Sequence, residues 1–225
     1  MHKYKNISDP VIRRLPRYYR FLGELLDKGV VRISSRELSD KMGLTASQIR
    51  QDLNCFGGFG QQGYGYCVES LYNEIAHILG LDHSYKAILI GAGNLGRAVA
   101  THMSFEKRGF KLIGIFDNDK NKIGQTIRDI QVSDLDNLEE FCTENKTDVA
   151  IFCVPKTATP EIAERLHKLG IKNYWNFSHY DLGVQYDDII VENVHLNDSL
   201  MTLCYKISDA NDEPDDIEQQ KVNNA

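Results

Sequence analysis

No window of the 225-residue chain approaches eighteen uninterrupted apolar residues, and the first ten, MHKYKNISDP, hold no apolar stretch of the kind that opens a secretory signal. A membrane span and a signal peptide are therefore not expected, and the reading places the chain in the cytoplasm. Cysteine is sparse. Cys55, Cys67, Cys142, Cys153 and Cys204 are widely separated and form no C-x-x-C pair. That spacing suits reduced thiols rather than a disulfide framework or a zinc site, and no metal is expected. Histidine is scarce as well, with seven in all, which limits the candidates for acid–base chemistry.

What is present is unevenly distributed. Against a formal net charge of −6 for the whole chain, residues 1–53 are basic and residues 209–225 are acidic. The last segment, DANDEPDDIEQQKVNNA, has the composition of a disordered tail. A basic start allows nucleic-acid binding, but a solvated surface would look the same. The motifs must decide.

In the first third, Asp9-Pro10 has the form of a helix start, and Leu15, Tyr18, Leu22 and Leu25 recur at helical spacing among Arg13, Arg14, Arg17 and Arg20. Pro16 falls inside this pattern and predicts a kink or a restart. The segment SSRELSDKMGLTASQIRQDLNCF then has capping-box patterns at Ser34/Glu37 and Thr45/Gln48 with Gly43 between them, which spells helix, turn, helix. In the second of these helices Ile49, Leu53 and Phe56 share one face. Ser47, Arg50, Gln51 and Asn54 share the other, where an arginine and amides suit base edges in a major groove. A plain helical hairpin remains the competing reading.

GGFGQQGYGY follows, five glycines in ten residues with aromatics between them. It reads as a hairpin, the wing of a winged helix, and it lacks the G-K-[ST] ending of a P-loop. With Arg14, the wing residues Gln61, Gln62, Gly63 and Tyr64 complete the candidate DNA contacts. A helix through VESLYNEIAHILGL closes this domain, assigned to residues 1–82.

The second domain, residues 83–208, opens with KAILIGAGNLGRAVATHM. Gly91, Gly93 and Gly96 follow an apolar strand and lead into a helix, the arrangement that lets pyrophosphate approach a helix N-terminus. Ala92, Asn94 and Leu95 belong to the same loop. The strand KLIGIFDND ends at Asp117, where a carboxylate would accept from ribose hydroxyls and repel a 2′-phosphate; Asp119 adds to that preference for NAD(H) over NADP(H). A Rossmann fold holding another nucleotide, such as coenzyme A, is the alternative here. Strands and helices alternate onward, and the strand-end residues Val154, Pro155, Asn176 and Phe177 are expected to border the nicotinamide. A final helix carries Leu196, Leu200 and Leu203 in one apolar stripe. The fold class is α/β: a winged helix-turn-helix domain, a doubly wound parallel-sheet Rossmann domain, and a C-terminal helix.

Taken together, RRLPRYYR, ISSRELSDKMGLTASQIRQDL, FGGFGQQGYGY, GAGNLG, FDNDKNKIG, CVPKTA, GIKNYWNF and VENVHLNDSL resemble the Rex family of bacterial redox-sensing repressors, over residues from about 10 to 207. The resemblance implies a homodimer in which the C-terminal helix packs on the partner subunit and the winged helices bind a palindromic, A·T-rich operator in double-stranded DNA. It also implies that NADH releases the DNA while NAD+ competes, and the chain is not expected to be an enzyme. Burial of the uncharged reduced ring against Phe177 and Leu196 would tell it from the charged oxidised one. An NAD-dependent oxidoreductase with an accessory N-terminal domain is the alternative, though the chain leaves no room for a substrate domain. Two departures stand out. Arg50-Gln51 and Gln61-Gln62 replace pairs that are often Arg-Lys and Lys-Arg. His102 and His195 stand where a tyrosine and an aspartate are common; were they to meet near the nicotinamide, its binding would become pH-dependent.

Overall fold

The computed structural model describes residues 7–57, 60–61 and 64–212. Contacts divide the chain into two units. The first is Met1–Ser84 with Ser104–Phe110, and the second is Tyr85–Met103 with Lys111–Ala225. The segment 104–110, inside the stretch assigned to the second domain, returns to the first unit.

In the first unit α1 (Asp9–Asp27) turns Val11, Leu15, Tyr18, Leu22 and Leu25 inward. This is one stripe of a 3.6-residue period. Pro16 sits inside α1, which continues through it as one helix. The expected restart does not occur, because the apolar stripe on both sides of Pro16 is buried in a common core. Next come β1 (Arg32–Ile33), α2 (Ser35–Met42) and α3 (Ala46–Asn54). Gly43 ends α2 at φ 61°, a left-handed conformation in which a side chain would be strained.

The Ser34/Glu37 capping box is complete in both directions. The second box is only half made. The Thr45 hydroxyl accepts from the Gln48 amide, but the Gln48 side chain turns away and donates to Asp52. The strands β2 (Gly60–Gln61) and β3 (Gly65–Cys67) pair antiparallel, and β1 pairs with β3, giving a three-stranded sheet in the order β1-β3-β2. Gly65 fits here because a Cβ would lie 2.6 Å from the Ile33 carbonyl oxygen. Helix α4 (Val68–Ile78) then packs its Val68, Leu71 and Ile75 into the same core. A helix-turn-helix followed by a strand hairpin and a closing helix is the winged arrangement.

In the second unit a seven-stranded sheet is built from β4 (Tyr85–Ile90), β5 (Phe110–Asp117), β6 (Thr126–Ile127), β7 (Ile130–Asp134), β8 (Val149–Phe152), β9 (Asn173–Asn176) and β10 (Ile190–Asn193), in the order β10-β9-β8-β4-β5-β7-β6. The pairs β4–β8, β8–β9, β9–β10 and β5–β7 are parallel, and the short β6 adds antiparallel at one edge. Neighbouring strands β4 and β8 lead off in opposite directions along the sheet order, β4 to β5 and β8 to β9, which places a topological switch point between them, beside the glycine loop. Helices α5 (Asn94–His102), α6 (Leu138–Asn145) and α7 (Thr159–Lys168) are the crossovers. A short α8 (Leu182–Gln185) precedes β10, and α9 (Leu196–Asp212) ends the described chain. The acidic tail expected from residue 209 overlaps the end of α9 and otherwise lies outside the described residues.

A dinucleotide cradle and a recognition helix

The glycine loop is shaped by backbone that comes too close for side chains. A Cβ on Gly96 would stand 1.8 Å from the Gly91 carbonyl oxygen, and one on Gly91, at φ 100°, would stand 2.5 Å from the Cys153 carbonyl oxygen. A Cβ on Gly93 would meet nothing within 4 Å, so its space stays open at the start of α5. Two glycines thus hold the turn and the helix–strand packing, and the third leaves room in front of the helix N-terminus. Gly93 is the N-cap residue of α5 and no side chain caps the helix. Its first amides are the natural seat for a phosphate. Ala92 is buried, Asn94 lies at the first position of α5, and Leu95 is exposed beside it.

Asp117 ends β5 as expected, but its carboxylate is 6% exposed and already bonded. One oxygen accepts from the Ala92 amide at 2.7 Å and lies 3.2 Å from Lys122 Nζ, and the other accepts from the Asp119 amide at 2.9 Å. It ties the glycine loop to the end of β5. Asp119 is more open, lies 3.5 Å from Lys122 Nζ, and is held below the usual carboxylate range by the Asn121 amide, against a smaller effect of burial. Lys122, raised by its bond to Asp117, was not singled out from the sequence. Its position five residues past a strand-end acid was the available signal.

Val154 and Pro155 follow β8 in the loop that faces Gly91. Asn176 is wholly buried, and its side chain is satisfied internally. Its amide donates to the Tyr180 carbonyl and to Asn193 Oδ1, and its oxygen accepts from the Ser178 amide and hydroxyl. These bonds fix the loop after β9, so Asn176 shapes the rim. Phe177 packs edge-on against Trp175, with ring centres 4.7 Å apart. Leu196 is 62% exposed at the start of α9. His195 does not find its partner in His102. Its ring stacks on His179, with centres 5.5 Å apart and planes 15° from parallel, while His102 lies at the last position of α5.

In the first unit α3 presents Arg50, Gln51 and Asn54 outward and buries Ile49, Asp52 and Leu53. Ser47 lies in the first turn, and Arg50 reaches the Ser35 hydroxyl at 3.1 Å. In the wing, Gln61 forms β2 with Gly60; Gln62 and Gly63 lie outside the described residues. Tyr64 is 69% exposed, and its carbonyl accepts from Arg32, whose guanidinium lies 5.9 Å from the Tyr64 ring centre.

Arg14 has a different setting from the other candidate contacts. Its Nε and Nη2 donate to the two oxygens of Asp52 at 2.7 and 2.8 Å, a bidentate pair that joins α1 to α3. The Asp52 side chain is fully buried and also accepts from Tyr18 at 3.0 Å and Gln48 at 2.8 Å. Burial alone would raise its pKa, but the bonds from Arg14, Gln48 and Tyr18 together hold it below the ordinary value. Asp52 stands three residues past Ile49, inside the stripe that Ile49, Leu53 and Phe56 bury, so its position carried the signal. Its residue type, which ordinarily marks the wet face of a helix, concealed it.

Among the described residues no cluster of three or more histidine, cysteine, aspartate or glutamate side chains could hold a metal, and no helix is long and apolar enough to cross a membrane.

Known proteins match both units. Residues 6–54 fit the family described as "Putative DNA-binding protein N-terminus", and residues 82–180 fit the CoA binding domain family. A redox-sensing transcriptional repressor Rex from Thermoanaerobacter pseudethanolicus is 58% identical over 209 residues, 93% of each chain. A crystal structure of RSP, a Rex-family repressor, in complex with beta-NAD+ and operator DNA is 55% identical, with a TM-score of 0.84 over 98% of this chain and 100% of that one. The RSP complex with beta-NADH is 55% identical, with a TM-score of 0.82 over 91% and 96%. At these identities, over more than nine-tenths of both chains, the chain belongs to the Rex family of redox-sensing transcriptional repressors.

Proposed function

We propose that this chain is a repressor that reads the NADH/NAD+ ratio and turns it into occupancy of a DNA operator. The observation that carries the reading is the pairing of an uncapped helix N-terminus behind a glycine loop with a winged helix-turn-helix in one chain. NADH and NAD+ share the pyrophosphate, which the α5 amides and the open space at Gly93 would receive. Gly91, Ala92, Asn94, Leu95 and Gly96 shape that seat. Asp117 would act mainly by holding the loop, and Asp119 and Lys122 would meet the adenosine ribose. The aromatic and apolar groups Phe177, Val154, Pro155 and Leu196 suit the neutral reduced ring better than the charged oxidised one. The relatives solved with beta-NADH, and with beta-NAD+ and operator DNA, support the same pair of ligands.

On the output side, Ser47, Arg50, Gln51, Asn54 and the wing from Gln61 to Tyr64 are the proposed DNA contacts. Glutamine and asparagine read adenine and arginine reads guanine, so a palindromic, A·T-rich operator suits this face. NADH release requires that NADH bind the DNA-incompetent arrangement more tightly; a swing from 1:99 to 99:1 needs about 5.5 kcal/mol of differential binding.

A homodimer supplies the two half-site readers. Helix α9 exposes Leu196, Leu200, Met201, Leu203, Tyr205 and Ile207 by more than half of each side chain, an apolar surface that a lone chain would leave in water. We assign it to the partner subunit. The deciding experiment is anisotropy of a labelled palindromic, A·T-rich duplex titrated with protein alone, with NADH and with NAD+. Tight binding that NADH abolishes and NAD+ spares is the expected result. Binding that ignores both nucleotides would overturn it.

A further inference from the structure

The DNA-facing helix α3 is anchored by a charge that never reaches DNA, and we propose that the Arg14–Asp52 pair, with Gln48 and Tyr18, is a positioning device that sets the rotation of α3 and thereby its base readout. The inference rests on the DNA-binding reading above and goes beyond it by assigning roles to residues that the contact set does not explain.

A short helix packed on a core through aliphatic side chains can roll by small angles at little cost, because apolar contacts are not directional. Helix α3 has nine residues, and Ile49 and Leu53 are its buried aliphatic anchors. Between them in the sequence lies Asp52, fully buried, with three side chains converging on its two oxygens. Arg14 and Tyr18 come from α1, one turn apart, and Gln48 comes from the turn of α3 before Asp52. Hydrogen bonds of this kind have narrow ranges of distance and angle. Rolling α3 would stretch the Arg14 and Tyr18 bonds together, so the pair restricts exactly the motion that moves Arg50, Gln51 and Asn54 across base edges.

Two expectations from residue type change in consequence. Arg14 is an arginine in the basic segment, yet its guanidinium fork is closed on Asp52, and it is a positioning residue rather than a phosphate contact. Gln48 is an amide near the N-terminal end of a recognition helix, where amides read adenine. Its side chain is spent on Asp52 instead, so the reading amide is Gln51.

The test compares binding of the full chain to the palindromic duplex and to a scrambled duplex of equal length, across a salt series. The variants are Arg14→Lys, which keeps the charge but not the fork, and Asp52→Asn. A positioning role predicts that Arg14→Lys lowers operator affinity on the order of ten-fold, with scrambled-duplex affinity and the slope of log affinity against log salt unchanged. The loss should spread over every base-pair position rather than fall on one. Asp52→Asn should do the same more strongly, and a melting curve shows whether that chain folds; where it does not, the Arg14→Lys chain carries the test. An Arg14→Lys chain that loses both affinities equally, or neither, overturns the assignment, as does a loss confined to one base pair. Failure of the unmodified chain to prefer the palindrome over the scrambled duplex would instead overturn the DNA-binding reading itself.

Discussion

His195 stacks on His179, with ring centres 5.5 Å apart and planes within 15° of parallel. The pair joins the loop after β9 to the residue just before α9, at the carboxyl end of the parallel strands, where a nicotinamide is expected. The stacked rings hold the loop after β9 against the start of α9. Removing one of them, in His195→Ala, should free that loop and weaken NADH binding by a few-fold. Isothermal titration with NADH measures the change, and an unchanged affinity would count against it.

The glycine loop gives a sharper prediction. Gly96→Ala would drive its methyl into the Gly91 carbonyl. The strand and helix would have to separate, and nucleotide binding should fall by at least ten-fold, with the winged unit's core untouched. Gly93→Ala meets no protein atom, so any loss of NADH affinity there, measured by the same titration, reports the ligand's own approach to the backbone.

Removing one partner of the buried pair should cost stability as well as readout. Arg14→Met leaves the Asp52 carboxylate buried without its counter-ion, a change that typically costs about 3–5 kcal/mol. The expected outcome is a lower denaturant midpoint for the first unit. The double variant Arg14→Met, Asp52→Leu should recover part of it, since no charge is then stranded. Chemical denaturation followed by tyrosine fluorescence and circular dichroism measures the recovery.

Acid should act through the same carboxylate. The folded protein holds Asp52 below its ordinary value, so its contribution is fully present above about pH 4, the ordinary aspartate range. That contribution is lost as pH falls through the lower folded value, because the unfolded chain then binds the proton first. Stability of the wild-type first unit should decline below about pH 4, more steeply than that of the double variant. Parallel acid titrations that coincide would argue against the pair.

Elements with a clean period were legible in the sequence, and residues whose role depends on a partner far along the chain were not. The stripe of Leu15, Tyr18, Leu22 and Leu25 and the face of Ile49 and Leu53 announce buried sides because side-chain direction follows the helical repeat. The glycine loop was readable because its residues are neighbours. Pro16 shows the limit of a local rule, since a shared core on both sides carried the helix across it. Arg14 meets Asp52 thirty-eight positions away, and no spacing rule reports that. Likewise Asp117 was found at the right strand end, but that both its oxygens would be taken by the loop, Asp119 and Lys122 depends on how the β5 and β4 ends approach. His195 found His179 because the loop after β9 returns to the same strand ends.

The seven residues from Ser104 to Phe110 have a consequence for dissecting this protein. They belong to the first unit although they lie in sequence between two segments of the second. Phe105 is 3% exposed, Arg108 lies 5.9 Å from the ring centre of Tyr19, and a Cβ on Gly109 would meet the Gly80 carbonyl oxygen at 2.7 Å. A fragment cut after residue 84 would therefore lack the cover for part of its own interior. The reader is not a detachable module with the sensor appended after it; its finished surface is supplied by chain that has already passed through the glycine loop and α5.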